Sequence, residues 1–353
     1  MVRSRVIPWL VREEIQQIPS APAVQAMHTQ LRTIAKSSGP IVVGPWLSEV
    51  GYELLYWIPF LTWATKAYGI APERLTVVTR GGAGTWYREL CHRAVDVFDL
   101  YSVDDFRQKN ESRWAEDGNQ KQLTSSAFDH EIADRVRERL GDRSITMMHP
   151  SVMYRMLRYY WFEKGAVSLL KDHTEYVRLP SAGEPIPDLP RDYVALRFYF
   201  RPSFPDTREN RRFIASTVKS IARHTAVVVL NTGLNLDDHE DFSPDEDVRV
   251  HRVDHLMTPS RNLEIQSRVI QHARAFVGTY GGLAYLGPFY GVPSVGVYSD
   301  IKHIVLTHLD TSERLCRHVD SSLVTLDTAS AGPLQMMFDG GARDATESSE
   351  RHP

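Results

Sequence analysis

Short β-branched runs bounded by glycine or proline alternate along this chain with longer segments whose apolar residues recur at helical spacing. In the first half, Ile41-Val42-Val43, Leu75 to Thr79, Val95 to Leu100 and Ser144 to Met148 read as strands. Tyr52 to Tyr68, His130 to Leu140 and Ser151 to Glu163 read as helices, and Pro59 predicts a kink or a short first segment in the first of them. Arg80-Gly81-Gly82-Ala83-Gly84 is a turn, and residues 101–127 are polar and aperiodic, the pattern of a surface insertion or lid.

The alternation restarts after the Pro-rich stretch Leu179 to Pro190. Tyr193 to Phe200, Ala226 to Leu230, Val248 to Arg252, a run closed by Phe276 and Val277, and Val295 to Tyr298 are strands; Thr207 to His224, Ser260 to Arg274 and Leu283 to Tyr290 are helices. Strands alternating with helices in both halves predict an α/β protein of two doubly wound, Rossmann-like parallel-sheet domains. The expected boundaries are a helical N-terminal extension over 1–36, a first domain over 37–180, a linker over 181–190, a second domain over 191–330 and a disordered tail over 331–353.

Composition narrows the classes. A chain of 353 residues with 42% hydrophobic content is long enough for two separate cores, and a net charge of −3 argues against a general nucleic-acid binder. Cys91 and Cys316 offer neither a disulfide framework nor metal-ligand spacing, which points to a reducing, cytoplasmic setting. No segment has the length of a membrane span; Trp9 and Leu10 near the start are suited at most to a peripheral membrane contact. The acidic run Asp237-Asp238-His239-Glu240 reads as a solvated loop, and no metal site is expected.

Candidate chemistry gathers at strand ends. Between the strand closed by Val277 and the helix from Leu283, the turn Gly278-Thr279-Tyr280-Gly281-Gly282 lacks side chains where a diphosphate would approach the backbone and lie on the positive end of the helix dipole. The same glycines serve a tight βα turn equally well. Gly278 to Leu283 followed by Gly291-Val292-Pro293 resembles the donor-diphosphate turn of GT-B glycosyltransferases, in particular the heptosyltransferase-like and fucosyltransferase-like branches. In the heptosyltransferases an Asp-Thr-Gly and a His stand where this chain has Tyr280, Gly281, Gly282 and Tyr285, so donor identity does not follow.

The first strand's exit carries two carboxylates, Glu49 in a loop and Glu53 in the first helical turn. A first-turn Glu serves a cap or a dipole as readily as catalysis, whereas an acid in a loop at the carboxyl end of a parallel strand sits where open α/β sheets bind ligands. Gly51 to Leu61 is similar to the heptosyltransferase segment in which a Gly-Asp opens the first helix and the Asp activates the acceptor hydroxyl; one inserted residue keeps both Glu49 and Glu53 as candidate bases. His149, after the strand ending at Met148, is a candidate for orienting the acceptor or sharing proton transfer. On a straight strand Arg197 and Arg201 share a face, and a break at Pro202 would swing Arg201 toward a diphosphate; the fucosyltransferase-like branch also has an Arg after this strand. Asn231, Thr232 and Gly233 hold another strand end, suited either to the nucleotide or to turn chemistry. With Thr279, Tyr280, Gly281, Gly282 and Leu283 these residues form the expected donor site. The resemblance implies a sugar nucleotide donor, a saccharide or glycoconjugate acceptor, and transfer without cofactor or metal, inverting in its simplest form. A sugar-nucleotide epimerase on the same plan and a non-catalytic sugar-nucleotide-binding protein are the competing expectations.

Overall fold

A computed structural model describes residues 20–117, 121–141, 144–162, 166–234, 240–243 and 249–328. Trp9 and Leu10, the run 237–239 and the tail expected over 331–353 lie outside them. The chain divides into two compact units: the first runs through Ala182 and includes Thr258–Glu264 and Thr307–Thr311, and the second holds Gly183–Met257, Ile265–Leu306 and the chain from Ser312. Among the described residues no helix is long and apolar enough to cross a membrane.

The first unit is built on a four-stranded parallel sheet of β1 (Ile41–Val43), β2 (Leu75–Thr79), β3 (Arg93–Asp96) and β4 (Thr146–Met148), in spatial order β3-β2-β1-β4. Every residue of β1 and β2 is buried, which is why they read as continuous apolar runs rather than as alternating ones. Helix α1 (Ala21–Lys36) precedes the sheet. The segment after β1 opens with one α-helical turn at Val50–Tyr52, widens to π-helical geometry over Glu53–Trp57 and continues as α2 (Ile58–Tyr68). Pro59 accounts for this: it has no N–H to donate back to Leu55, and the Leu55 carbonyl accepts instead from the Tyr176 hydroxyl at 2.9 Å. Gly69, left-handed with φ 61°, ends α2.

Two expectations for this half are corrected. Residues 103–117 are not an irregular insertion but helix α3 (Val103–Asp117), followed by α4 (Ala127–Leu140). The buried positions of α3 include Phe106, Asn110 and Arg113, at helical spacing, and two of these three are polar; Arg113 donates to Asn110 at 3.0 Å. A stripe whose buried members pair with each other carries no hydrophobic period to read. The expected strand Val95 to Leu100 lies earlier, over Arg93–Asp96, and turns into a 3₁₀ turn at Val97–Asp99. Helix α5 (Ser151–Phe162) follows β4 as expected.

The second unit has a six-stranded parallel sheet of β5 (Tyr193–Arg197), β7 (Ala226–Val229), β9 (Val250–Arg252), β10 (Ala275–Thr279), β11 (Ser294–Tyr298) and β12 (Leu323–Asp327), in order β12-β11-β10-β5-β7-β9. Helices α6 (Arg208–His224), α7 (Asn262–Gln271) and α8 (Gly282–Phe289) connect these strands. Helix α9 (Leu306–Val319) and β12 extend the fold past the last strand read from the sequence. Val194, Leu196, Val227, Val229, Val277 and Val297 face Ile214, Val218 and Ile221 of α6 in one core. The predicted strand from Tyr193 to Phe200 is broken at Phe198: β6 (Tyr199–Phe200) leaves the sheet and pairs antiparallel with β8 (Glu240–Asp241).

Strands β5 and β10 lie unusually close at one point. Gly278 pairs with Arg197, and a Cβ on Gly278 would stand 2.1 Å from the Arg197 carbonyl oxygen. Gly278→Ala is therefore expected to force these paired backbones apart and to destabilise the second unit by about 2–4 kcal/mol. Urea denaturation of the variant beside wild type measures the loss, and equal midpoints would contradict it.

Candidate active site

Both sheets reverse their strand order beside their first strand, and open α/β sheets bind ligands at that reversal, outside the carboxyl ends of the strands. In the second unit the reversal falls between β5 and β10. Strand β5 leads the chain to Tyr199 and Arg201, and β10 leads it into the glycine turn. The Thr279 hydroxyl accepts from the Tyr199 N–H at 3.0 Å and donates to the Tyr199 carbonyl at 2.9 Å, which pins the two chain segments together. The Tyr199 hydroxyl and one Arg201 guanidinium nitrogen then lie over Gly281: a Cβ there would stand 2.5 Å from the first and 3.2 Å from the second. The first hydrogen bond within α8 runs from the Tyr285 N–H to the Gly281 carbonyl, so Gly282, Leu283 and Ala284 present their N–H groups ahead of the helix's own bonding. A guanidinium, a phenol and a helix N-terminus thus meet at one glycine, a set of donors matched to an anion.

The expected donor residues do not all take part through their side chains. Thr279 spends its hydroxyl on Tyr199. The Tyr280 ring is buried, packed edge-on to Tyr285 with centroids 5.5 Å apart, and burial pushes its phenol up to about 12; Leu283 is core as well. Their contribution to a ligand is confined to the backbone. Arg197 does not share Arg201's position: its Nε donates to Asp241 at 3.1 Å and a terminal nitrogen donates to Gln266 at 2.8 Å. The strand break at Phe198 separates the two arginines that a straight strand would have aligned. Asp241 also accepts from the Thr232 N–H at 3.3 Å, so Arg197 ties the loop of Asn231, Thr232 and Gly233 to the end of β5. Gly233 turns that loop with φ 62°. Tyr199 was not among the expected residues, although it continues the period-two series 197, 199, 201.

In the first unit the reversal falls between β1 and β4. Glu49 and Glu53, four residues apart, stand in opposite environments. Glu49 is about half exposed, at 48%, and accepts from Lys121 Nζ at 2.5 Å; that ammonium also lies 3.4 Å from the centre of the Tyr52 ring. Glu53 is 0% exposed. One of its oxygens accepts from the Thr79 hydroxyl at 2.9 Å and the Tyr87 hydroxyl at 2.5 Å, and its other oxygen has no hydrogen-bond partner among the described residues. Burial pushes the Glu53 carboxyl up to about 7, against the pull of those two hydrogen bonds and of the nearby Arg80 charge. Asp96 at the end of β3 is likewise pushed up by burial, to about 6, while accepting from the Gly82 and Phe98 N–H groups.

His149 is enclosed, with both ring nitrogens engaged. Nδ1 accepts from the Ser151 N–H at 3.1 Å, which leaves the proton on Nε2, 3.3 Å from Asp129. Burial alone would raise the Asp129 carboxyl; its hydrogen bonds with His149 and Ser126 outweigh it and hold Asp129 below its ordinary value. Gln122 completes the group: its amide nitrogen donates to Asp129 and to the Pro45 carbonyl, and its oxygen accepts from the Leu47 N–H at 2.9 Å. His149 therefore belongs to the brace that holds the loop leading to Glu49, and the expected contact with an acceptor does not fit its surroundings. Trp46, in the same loop, is buried and stacks near-parallel with buried Trp57 and Tyr154, with centroids 5.9 and 5.8 Å away.

No protein-family model and no curated protein matches the chain. Among solved structures it is similar to a family 9 glycosyl transferase from Veillonella parvula, at 11% identity over 86% of this chain and 90% of that one, with a TM-score of 0.46. It is similar to the E. coli heptosyltransferase WaaC with ADP, at 13% identity over 86% and 100% of the two chains, again with a TM-score of 0.46. Glycosyltransferase SnogD from Streptomyces nogalater aligns at 12% identity over 86% and 90%, with a TM-score of 0.39.

The Glu53 environment makes a pH prediction. Its folded-state value lies above its ordinary value of 4.5, so the stability it contributes is fully present below about pH 4.5 and is lost as pH rises through about 7. The loss is on the order of 3 kcal/mol. Glu53→Gln keeps the shape and removes the charge, and the variant is expected to gain on wild type between pH 5 and pH 8. Parallel urea titrations at the two pH values read this directly, and a constant difference between the two proteins would refute it.

Proposed function

We propose that this chain is a glycosyltransferase of the two-Rossmann, GT-B plan that moves a sugar from a nucleoside-diphosphate donor to a hydroxyl of a saccharide or glycoconjugate acceptor. The observation that carries the reading is the convergence of Arg201, Tyr199 and the N-terminus of α8 on Gly281, at the strand-order reversal of the second sheet. The resemblance of Gly278 to Leu283 and of Gly51 to Leu61 to the turns of that enzyme class supports it from the sequence side.

In this reading the donor diphosphate lies on the turn. As the bond from the anomeric carbon to the phosphate oxygen breaks, the leaving diphosphate gains negative charge, which the Arg201 guanidinium and the helix N–H groups stabilise as fixed donors. Such donors do the work that a divalent cation does in other transferases, so the transfer is proposed to be metal-independent. The first unit supplies the base. Glu49 is the exposed carboxylate of the pair, and it is proposed to take the proton of the attacking acceptor hydroxyl, with inversion the simplest outcome. Glu53, enclosed against Thr79 and Tyr87, holds the helix start in place. Two buried, unpaired cysteines accord with work in a reducing cytoplasm.

A thermal-shift series with ADP, GDP, UDP, dTDP and CMP, with and without magnesium, tests the donor side, because a ligand that binds only the folded chain raises its melting temperature. One nucleoside diphosphate is expected to raise it without magnesium, and Arg201→Ala is expected to weaken that binding roughly 10- to 100-fold. A protein that responds to no nucleotide sinks the reading. For the acceptor side, Glu49→Gln is expected to lower kcat by about 10²- to 10⁴-fold while leaving donor affinity unchanged. If Glu53→Gln has that effect instead, the base is Glu53.

A further inference from the structure

Outside the candidate site, two histidines from distant parts of the chain face each other in the first unit. His28 lies on α1 and His173 follows the short helical turn Ser168–Lys171; their ring centroids are 5.4 Å apart. Trp63 of α2 packs edge-on to both, with its centroid 4.9 Å from that of His173 and 6.1 Å from that of His28. The Tyr68 hydroxyl is hydrogen-bonded to His28 Nδ1, and His173 Nδ1 lies 2.9 Å from the Leu169 carbonyl oxygen. A carbonyl oxygen only accepts, so Nδ1 of His173 carries a proton and Nε2 is the nitrogen left to take a second one. Three segments far apart in sequence thus meet on two imidazoles.

Neutral rings suit this arrangement and charged rings do not. Burial holds His173 below its ordinary value of 6.5, against the pull of the Leu169 hydrogen bond and the Asp172 charge. Burial also lowers His28, and the charges of His173 and Arg32 lower it further. Lys66 of α2 and Glu175 neutralise each other between the same two segments, and Arg155 of α5 is turned to Gln30 of α1, to which it donates at 2.7 Å. Both histidines are depressed, so the stability they contribute is present above about pH 6.5 and is lost as pH falls below it.

The two ends of α1 are held by different chemistry. At its C-terminal end the Arg74 guanidinium donates to the Ala35 carbonyl at 3.0 Å, to the Gly39 carbonyl at 3.1 Å and to the Ser37 carbonyl, with a charge that no ordinary pH removes. Nearer its N-terminal end, the ring contacts of α1 with α2 run through His28. We infer that His28 and His173 form a pH-operated clasp: protonation sets two like charges face to face and frees the N-terminal half of α1, while Arg74 keeps the C-terminal end in place. The clasp stands apart from the function proposed above.

Hydrogen exchange of the full chain, followed by mass spectrometry at pH 5 and pH 8 and corrected for intrinsic exchange rates, tests this. In wild type the amides of residues 25–30 are expected to lose protection roughly tenfold at pH 5, while those of residues 33–36 keep theirs. His28→Gln and His173→Gln each leave one uncharged amide in the pair, and both variants are expected to lose most of that pH difference. Equal protection of residues 25–30 at the two pH values overturns the inference. So does an acid loss that residues 33–36 share in full, because that is unfolding of the whole helix rather than release of one end. An acid loss that persists unchanged in both variants overturns it as well. The two wild-type outcomes are read without any substitution, so a variant that folds poorly does not shield the clasp from refutation.

Discussion

The close approach of β10 to β5 governs the arrangement of the second unit. Gly278 has no Cβ, so its backbone lies against the Arg197 carbonyl at a distance no side chain would allow. That contact fixes the register one residue further on, where Thr279 bonds both backbone groups of Tyr199. From there geometry propagates: Tyr199 and Arg201 continue one strand, the glycine turn continues its neighbour, and the two meet at Gly281. A single missing methyl group thus sets the spacing at which Tyr199, Arg201 and the glycine turn meet. The cost of a displaced strand would fall on the placing of Tyr199 and Arg201 as much as on the fold, because paired strands carry both segments.

The first unit shows how environment separates residues of one type. Glu49 and Glu53 stand within one helical turn, yet one is half exposed beside a lysine and the other is sealed beneath two hydroxyl groups. Desolvation disfavours the charged form of the second, and exposure lets the first meet solvent or ligand. The loop leading to Glu49 is held from beneath by the Asp129, Gln122 and His149 group, whose hydrogen bonds reach Pro45 and Leu47. Histidine here does mechanical work: its tautomer is set by the Ser151 N–H, and its remaining proton serves Asp129.

The central strands were the most legible part of this chain, because buried parallel strands leave continuous β-branched runs bounded by turn residues. Helix α3 was not legible, since Asn110 and Arg113 bury polar groups by bonding to each other, and such pairing leaves no mark on a hydropathy pattern. The glycine turn and the carboxylates at the first strand's exit were visible as local motifs. Which of two glutamates is sealed, and which of two arginines is tied to the loop after β7, depends on residues far away in sequence: Thr79 and Tyr87 for Glu53, Asp241 and Gln266 for Arg197. Long-range partners of that kind have no periodic signature. Tyr199 stood in plain view in the alternating series, but its value comes from a glycine far along the chain.

The divergence of the two arginines shows how a local irregularity makes a site. Four residues apart on an ideal strand, they would share a face and a role. The break at Phe198 sends Tyr199 and Phe200 into a second, antiparallel pairing with Glu240 and Asp241. That pairing brings Asp241 to Arg197 and carries Arg201 onward to the turn. Arg197 then spends its charge on a partly buried ion pair, whose worth lies less in net stability than in fixing where the neighbouring loop stands. Arg201 stands at the strand-order reversal, beside the glycine turn. One irregularity in one strand sends one of two chemically identical side chains to the loop after β7 and the other to the glycine turn, and the division follows from hydrogen-bond pairing rather than from residue type.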